Sequence, residues 1–188
     1  NLERNVLCAS RKGRPVELLH LGVLRPPSGW EGGPPRGGEG GRIPRHRVLL
    51  TARHHACESM ASFTLEGMLE TFLGDDPTGR WFRHSVECWV VPFMDKDGVE
   101  DGDQGKARAP KDHNRDYAGE SIYPEVHALR QLAPDWAGVE GIDFALDLHC
   151  PWIRGGRNEE IFFVGCADRA VWETIGIFCA ALERSQRG

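Results

Sequence analysis

Three side chains in this sequence have the types and the spacing to hold one metal ion. His55 and Glu58 follow the apolar run Val48 to Ala52, in the segment Thr51-Ala52-Arg53-His54-His55-Ala56-Cys57-Glu58. In the first turn of a helix, residues three apart share a face, so one imidazole and one carboxylate can reach the same ion. His149 closes a second apolar run, Phe144 to Leu148. Two imidazoles and one carboxylate leave the fourth position of a zinc ion open to water, which is the pattern of a hydrolytic site. A metal held this way lowers the pKa of its water to about 7 and polarises a substrate carbonyl. The same residues also have a plainer reading. A glutamate in a helical first turn is favoured by the helix dipole with or without a metal, and a histidine at a strand end is often structural.

A second group lies in the polar segment Asp112-His113-Asn114-Arg115. A guanidinium is a rigid fork that grips a carboxylate through two hydrogen bonds, and a neighbouring Asn amide can add a third. Arg115 with Asn114 therefore suits recognition of a terminal carboxylate. Arg108, in Gly105-Lys106-Ala107-Arg108, offers positive charge where a tetrahedral oxyanion would develop. Taken singly, each of these arginines also reads as a solvated loop charge.

The elements that must position these groups can be read from pattern. Cys8 to Arg11 and Glu17 to Leu24 flank the turn residues Lys12-Gly13-Arg14-Pro15 and predict two strands joined by a turn. Arg25 to Arg42, dense in Gly and Pro, predicts a loop. Val48 to Ala52 is apolar enough for a strand buried on both faces. Met60, Phe63, Leu65, Met68, Leu69 and Phe72 recur at helical spacing, predicting a helix over Glu58 to Leu73 that stops at Gly74-Asp75-Asp76-Pro77. Val86 to Phe93 predicts another buried strand, Asp95 to Arg115 a long polar stretch, and Pro124 the first turn of a helix through Leu132. Strands over Phe144 to Leu148 and Ile161 to Val164 and a helix over Arg169 to Leu182 complete the chain. Strands alternating with helices predict a three-layer α/β/α sandwich around a mixed, mostly parallel sheet. In such folds, sites gather beyond the carboxyl ends of the strands. His55 and His149 both lie just past a strand end, which places them at one sheet edge.

Composition narrows the partners. A net charge of −5 gives no reason to expect nucleic acid or an anionic membrane. No apolar run approaches the roughly 20 residues of a membrane helix. The six cysteines, Cys8, Cys57, Cys88, Cys150, Cys166 and Cys179, lack the tight spacing of a disulfide framework. Free thiols, and with them a cytoplasmic location, are the expectation; a periplasmic or secreted location would follow if a signal segment had been removed.

In order and spacing the motifs resemble the zinc metallocarboxypeptidases, the superfamily of pancreatic carboxypeptidase A, and within it the cytosolic-type or bacterial branch. Ala52 to Glu58 is similar to that branch's Ala-Arg-Gln-His-Pro-Gly-Glu, and Asp95-Lys96-Asp97-Gly98-Val99 to its Asn-Pro-Asp-Gly-Val. Gly105 to Arg108 resembles Gly-Asn-x-Arg, Asp112 to Arg115 resembles Asp-Leu-Asn-Arg, and Asp147-Leu148-His149 matches Asp-Leu-His. Gly13 to Leu19 is similar to the opening strand. The resemblance runs from about residue 8 to residue 165. It implies Zn2+ bound by His55, Glu58 and His149, a substrate carboxylate held by Asn114 and Arg115, a carbonyl polarised by Arg108, and Asp112 as a hydrogen-bonding partner that fixes the tautomer of His55. The implied activity is removal of the C-terminal residue from peptides or proteins.

There are departures. Cys57 and Cys150 flank the expected ligands where the branch often has Gly; thiolate is a good zinc ligand, but small buried side chains are the simpler reading. The interval from Gly105 to Asn114 is shorter than usual. The family's catalytic Glu sits on a late strand well beyond the third ligand, and nothing here matches it; Glu159 and Glu160 read as loop carboxylates. Residues 1–188 are accordingly expected to be a zinc carboxypeptidase-like domain that is incomplete at its C-terminus. Two other functions compete: a zinc-dependent deacylase of N-acyl amino acids, of the aspartoacylase and succinylglutamate desuccinylase type, and a non-catalytic module that binds a carboxylate.

Overall fold

A computed structural model of the chain describes residues 2–22, 46–150 and 161–186. These fall into two units, residues 1–150 and residues 151–188. The first begins with a hairpin, β1 (Leu2–Ala9) and β2 (Pro15–Gly22), whose turn is closed by Ser10 N donating to the Arg14 carbonyl and by Gly13 at φ +76°. The strands β3 (His46–Ala52), β4 (Val86–Val91) and β5 (Phe144–Leu148) join it in the order β1-β2-β4-β3-β5. β1 and β2 pair antiparallel, as do β2 and β4, whereas β3 is parallel to both β4 and β5. Four of the five strands therefore share one direction and β2 opposes them, the mixed sheet expected from the alternation of elements.

Side-chain alternation along these strands supplies two apolar faces. On one, Val16, Leu18, Trp89 and Val91 pack against Val126, Leu129 and Trp136 of α4 (Pro124–Ala137), with Trp89 stacked on Trp136 at 4.4 Å. On the other, Leu21, Leu50, Ala52, Val86, Cys88 and Val90 meet Ala61 and Leu65 of α1 (Met60–Leu73) and Phe82 of α2 (Pro77–Ser85). Helices on both faces make the three layers. β4 is buried along its whole length, which is why Val86 to Val91 reads as a continuous apolar run broken by a single charge. That charge, Glu87, is fully buried and paired with His20 at 2.9 Å and Arg47 at 3.7 Å.

Several boundaries differ from expectation. The first helix starts at Met60 and not Glu58, because the preceding residues are held in a tight turn described below. α2 went unread although its start signal is ordinary: Asp76 accepts from Gly79 N at 2.8 Å as the cap, and Pro77 follows at the first helical position. α3 (Lys96–Asp101), capped by Asp95 and ended by Gly102, likewise interrupts the polar stretch. α4 runs on to Ala137. The loop expected over Arg25 to Arg42 lies outside the described residues.

In the second unit the strand expected over Ile161 to Val164 does not form; residues 161–166 take no regular structure, and Ile161 and Val164 are exposed. A strand needs a neighbour to receive its hydrogen bonds, and among the described residues of that unit there is none. The helix is present as α5 (Arg169–Gln186), begun by Asp168, which accepts from Ala170 N and Val171 N. Among the described residues no helix is long and apolar enough to cross a membrane.

Two glycines test the packing of the first unit. Gly13 (φ +76°) faces open space, so Gly13→Ala should cost only the backbone term, about 1–2 kcal/mol. Gly22 (φ +83°) lies against β4, where an added Cβ would collide with the Val86 carbonyl oxygen. Gly22→Ala should therefore cost about 3 kcal/mol or more. Urea midpoints of the two variants check this; equal losses would show that β2 and β4 are not so closely apposed.

Candidate metal centre

The corner after β3 is built by Arg53. Its backbone is left-handed (φ 61°), and its guanidinium folds back to donate to the Ala56 carbonyl at 2.9 Å and to Ser62 Oγ at 2.9 Å. This clamp closes the turn in which Glu58 N donates to the His55 carbonyl, so His55 and Glu58 share a face of a turn, not of a helix. β5 pairs with β3 in the register Thr51 to Asp147 and Ala52 to Leu148. His149 therefore leaves the sheet beside that corner.

The structure brings the three expected donors together. His55 Nδ1 lies 3.1 Å from Glu58 Oε1, His149 Nδ1 lies 2.6 Å from Glu58 Oε2, and the two rings are 4.9 Å apart. One ligand atom from each residue falls within 4.8 Å of the others. Nitrogen and oxygen donors in this combination fit zinc, for which two imidazoles and a carboxylate are a common set. Glu58 is only 3% exposed, and it also accepts from Lys106 Nζ at 2.6 Å and from Cys150 N at 3.2 Å. Burial alone would raise its pKa, but the hydrogen bonds from His149, His55 and Lys106 outweigh it and hold Glu58 well below the usual carboxylate range. For His149, burial pulls the pKa down, while Asp147 and Glu58 on its two nitrogens push it up to about 9.

The remaining expected residues surround this cluster. Asp112 Oδ2 is 3.6 Å from His55 Nε2, beyond hydrogen-bond length, and its carboxylate accepts from Ala107 N and Arg115 N. Asn114 Nδ2 is 3.0 Å from His149 Nε2. Arg115 is exposed, with no side-chain hydrogen bond or ion pair among the described residues. Arg108 is placed differently: its guanidinium pairs with buried Asp95 at 2.8 Å and with Asp103 at 2.7 Å. Among the described residues the cation that touches the cluster is Lys106, which no motif singles out. Neither Cys57 nor Cys150 belongs to a donor group among the described residues, and all six thiols are free. Glu159 and Glu160 lie outside the described residues.

Sequence reasoning also passed over an inner network. Asp147 accepts from Thr51 Oγ1 at 2.8 Å and bonds His54 Nδ1 at 2.7 Å and His149 Nε2 at 2.6 Å. His54 Nε2 in turn lies 2.7 Å from the Tyr117 hydroxyl. Burial is the chief force raising Asp147, but its bonds to His149 and His54 reverse that and keep it well below the usual range. The pairing of Thr51 with Asp147 was available in principle, since facing residues on paired strands share a side of the sheet.

Comparison with known proteins gives a consistent family. The family profile described as zinc carboxypeptidase matches residues 3–147. Human cytosolic carboxypeptidase 1 is 29% identical over 133 residues, covering 69% of this chain and 11% of that protein. Mouse cytosolic carboxypeptidase 3 is 30% identical over 136 residues, covering 71% and 13%. Among solved structures, the metallo-carboxypeptidase of Burkholderia cenocepacia superposes with a TM-score of 0.56 at 29% identity, over 79% of this chain and 36% of that one. The Pseudomonas aeruginosa metallo-carboxypeptidase, solved in complex with (2-guanidinoethylmercapto)succinic acid, gives 0.55 at 27% identity, over 79% and 35%. This chain thus spans about a tenth of the curated relatives and about a third of these solved chains.

The raised pKa of His149 gives the cluster a pH signature. A ring with a pKa near 9 carries a proton at pH 7, and a metal needs the neutral ring. Metal affinity of the metal-free chain should therefore fall as pH falls, by about tenfold per unit below pH 9, with about one proton released on binding at pH 7. Calorimetry in buffers of different ionisation enthalpy reads both quantities; an affinity flat from pH 7 to 9 would count against His149 as a donor.

Proposed function

This chain belongs to the zinc carboxypeptidase family, and from that premise we propose that it forms the metal-binding part of a metallocarboxypeptidase that removes the C-terminal residue of peptides or proteins. The observation that carries the reading is the convergence of His55, Glu58 and His149 with Asn114 only 3.0 Å from the His149 ring. A group suited to reading a carboxylate thus stands beside the group suited to holding a metal.

In this reading His55, Glu58 and His149 hold zinc, which when bound supplies a Lewis acid that acidifies a water and polarises a carbonyl. Asp112 orients the His55 ring from its far nitrogen. Arg115, unpaired among the described residues and exposed, presents its fork to the terminal carboxylate, and Asn114 adds an amide donor. In this reading Arg108, paired with Asp95 and Asp103, is the residue that supplies positive charge toward the scissile carbonyl. The general-base glutamate is proposed to lie in the part of the family fold that this chain, at about a third of the solved relatives' length, does not span. The cytoplasm is the proposed location, in keeping with the names of the relatives and with free thiols.

Two measurements test this. His149→Ala should lower the zinc affinity of the chain by about tenfold or more, the scale that even hydrogen-bonding partners of ligands reach; an unchanged affinity and stoichiometry by calorimetry would exclude His149 from the donor set. In the active protein that carries this chain, Arg115→Lys keeps the charge but loses the fork. KM for a free-acid peptide should then rise more than kcat falls. Amidating the peptide should cost the wild type about tenfold to a hundredfold, the worth of a charge-assisted hydrogen bond, and the variant little. Equal amidation penalties in both proteins would show that Arg115 does not read the carboxylate.

A further inference from the structure

We infer that Asp147, held in place by Thr51 and His54, is the positioning residue that fixes the tautomer and orientation of His149. The inference rests on the zinc site proposed above.

The donors around Asp147 can be assigned in one self-consistent way. Thr51 Oγ1 donates to Asp147 Oδ1, and His54 Nδ1 contacts the same oxygen. A carboxylate can only accept, so His54 carries its proton on Nδ1 and its Nε2 accepts from the Tyr117 hydroxyl. The second oxygen, Oδ2, faces His149 Nε2 at 2.6 Å. By the same rule His149 carries a proton on Nε2 and, in the metal-free chain, a second on Nδ1, which faces Glu58 Oε2 at 2.6 Å. A metal held with His55 and Glu58 takes the place of the Nδ1 proton, while the Nε2 proton stays bonded to Asp147. Asn114 lies against the same Nε2. With that nitrogen a donor, the Asn114 amide must present its oxygen to the ring and turn its NH2 away from it.

His54 is 2% exposed and Thr51 is 6% exposed, so neither partner is a casual surface contact. Thr51 stands opposite Asp147 in the β3–β5 ladder, so the sheet itself sets the aim of the carboxylate. An imidazole whose far nitrogen is bonded to a fixed carboxylate is held in one tautomer and made more basic toward the metal. The identity of both oxygens matters. In Asp147→Asn, the Thr51 and His54 donors require the amide oxygen at the Oδ1 position. The NH2 then faces the His149 Nε2–H, donor against donor, and the ring must flip or shift its proton to Nδ1.

Zinc binding to the 188-residue chain decides this, with zinc alone as the probe. Wild type should bind one zinc, and Asp147→Asn should bind one zinc about tenfold to a hundredfold more weakly. In a His149→Ala background Asp147→Asn should change the affinity little, because it acts through the ring that is gone. Ring-nitrogen NMR at saturating zinc supplies a readout that a merely structural role would not move. Wild type should show His149 bound through Nδ1 with a slowly exchanging proton on Nε2, and Asp147→Asn should lose that proton signal or bind through Nε2. Unchanged affinity and unchanged ring signals in Asp147→Asn would overturn the inference while leaving the zinc site standing. Equal losses with and without His149 would also overturn it, since Asp147 would then act on its own. His54, Asp147 and His149 also offer donors within 4.8 Å of one another, so two zinc ions in wild type and one in Asp147→Asn would make Asp147 a ligand and overturn it too. No zinc binding by the wild type would instead sink the proposed site and the inference together.

Discussion

The register between β3 and β5 is the constraint on which the rest depends. Ala52 stands opposite Leu148, and Thr51 opposite Asp147, so two chains leave the sheet side by side in the same direction. A slip of one residue would turn Leu146 and Leu148 away from the apolar layer they share with Leu50 and Ala52 and bury Asp147 there instead. The register is thus enforced by packing on one face, and its consequence is chemical on the other. Thr51 and Asp147 are neighbours because the sheet must pair, and His55 and His149 meet because each lies a short turn beyond the pair.

Given that meeting, Glu58 decides the electrostatics. A carboxylate that is nearly inaccessible to water must find compensation or protonate. It finds two imidazoles, an ammonium and a backbone N–H. Asp147, with its side chain 34% exposed, is only partly withdrawn from water and is met by His54, His149 and Thr51. The two carboxylates share His149 between them, one on each nitrogen, so the ring is held from both ends. Glu58 is the intolerant member, because removing any of its partners leaves a buried charge short of a donor.

What could be read from the sequence follows the same division. Strands β3, β4 and β5, and both histidines at strand ends, were legible because buried strands are continuous apolar runs and because sites in α/β folds gather at carboxyl ends. The ordered motifs from Gly13 to His149 carried the family. Lys106 was not legible, since a lysine in a loop carries no mark of which carboxylate it will meet. Nor was the inner role of His54, because adjacent histidines look alike in sequence and only Arg53, turning left-handed, sends one to Glu58 and the other to Asp147. The strand expected over Ile161 to Val164 failed for a different reason: β-branched residues permit a strand, but only a partner makes one.

The segment from Asp95 to Asp116 shows why polar composition misleads about order. It reads as a solvated loop, yet three of its carboxylates are buried and each ties down backbone. Asp95 caps α3 through Gly98 N and pairs with Arg108; Asp112 accepts from Ala107 N and Arg115 N; Asp116 accepts from Ile122 N and Tyr123 N. His113 sits between them, bonded to Glu125 at 2.6 Å and stacked on Tyr123 at 3.7 Å. Buried acceptors of this kind do for a loop what a ladder does for a strand, since each N–H they satisfy is one the chain need not turn to water. Asn114 and Arg115 are flanked by two of these anchors, so their backbone is fixed while the Arg115 side chain stays exposed. In the proposed reading this fixed backbone carries the Arg115 guanidinium, which has no ion pair among the described residues, and the aspartates supply the rigidity where neither helix nor strand is long enough to do so.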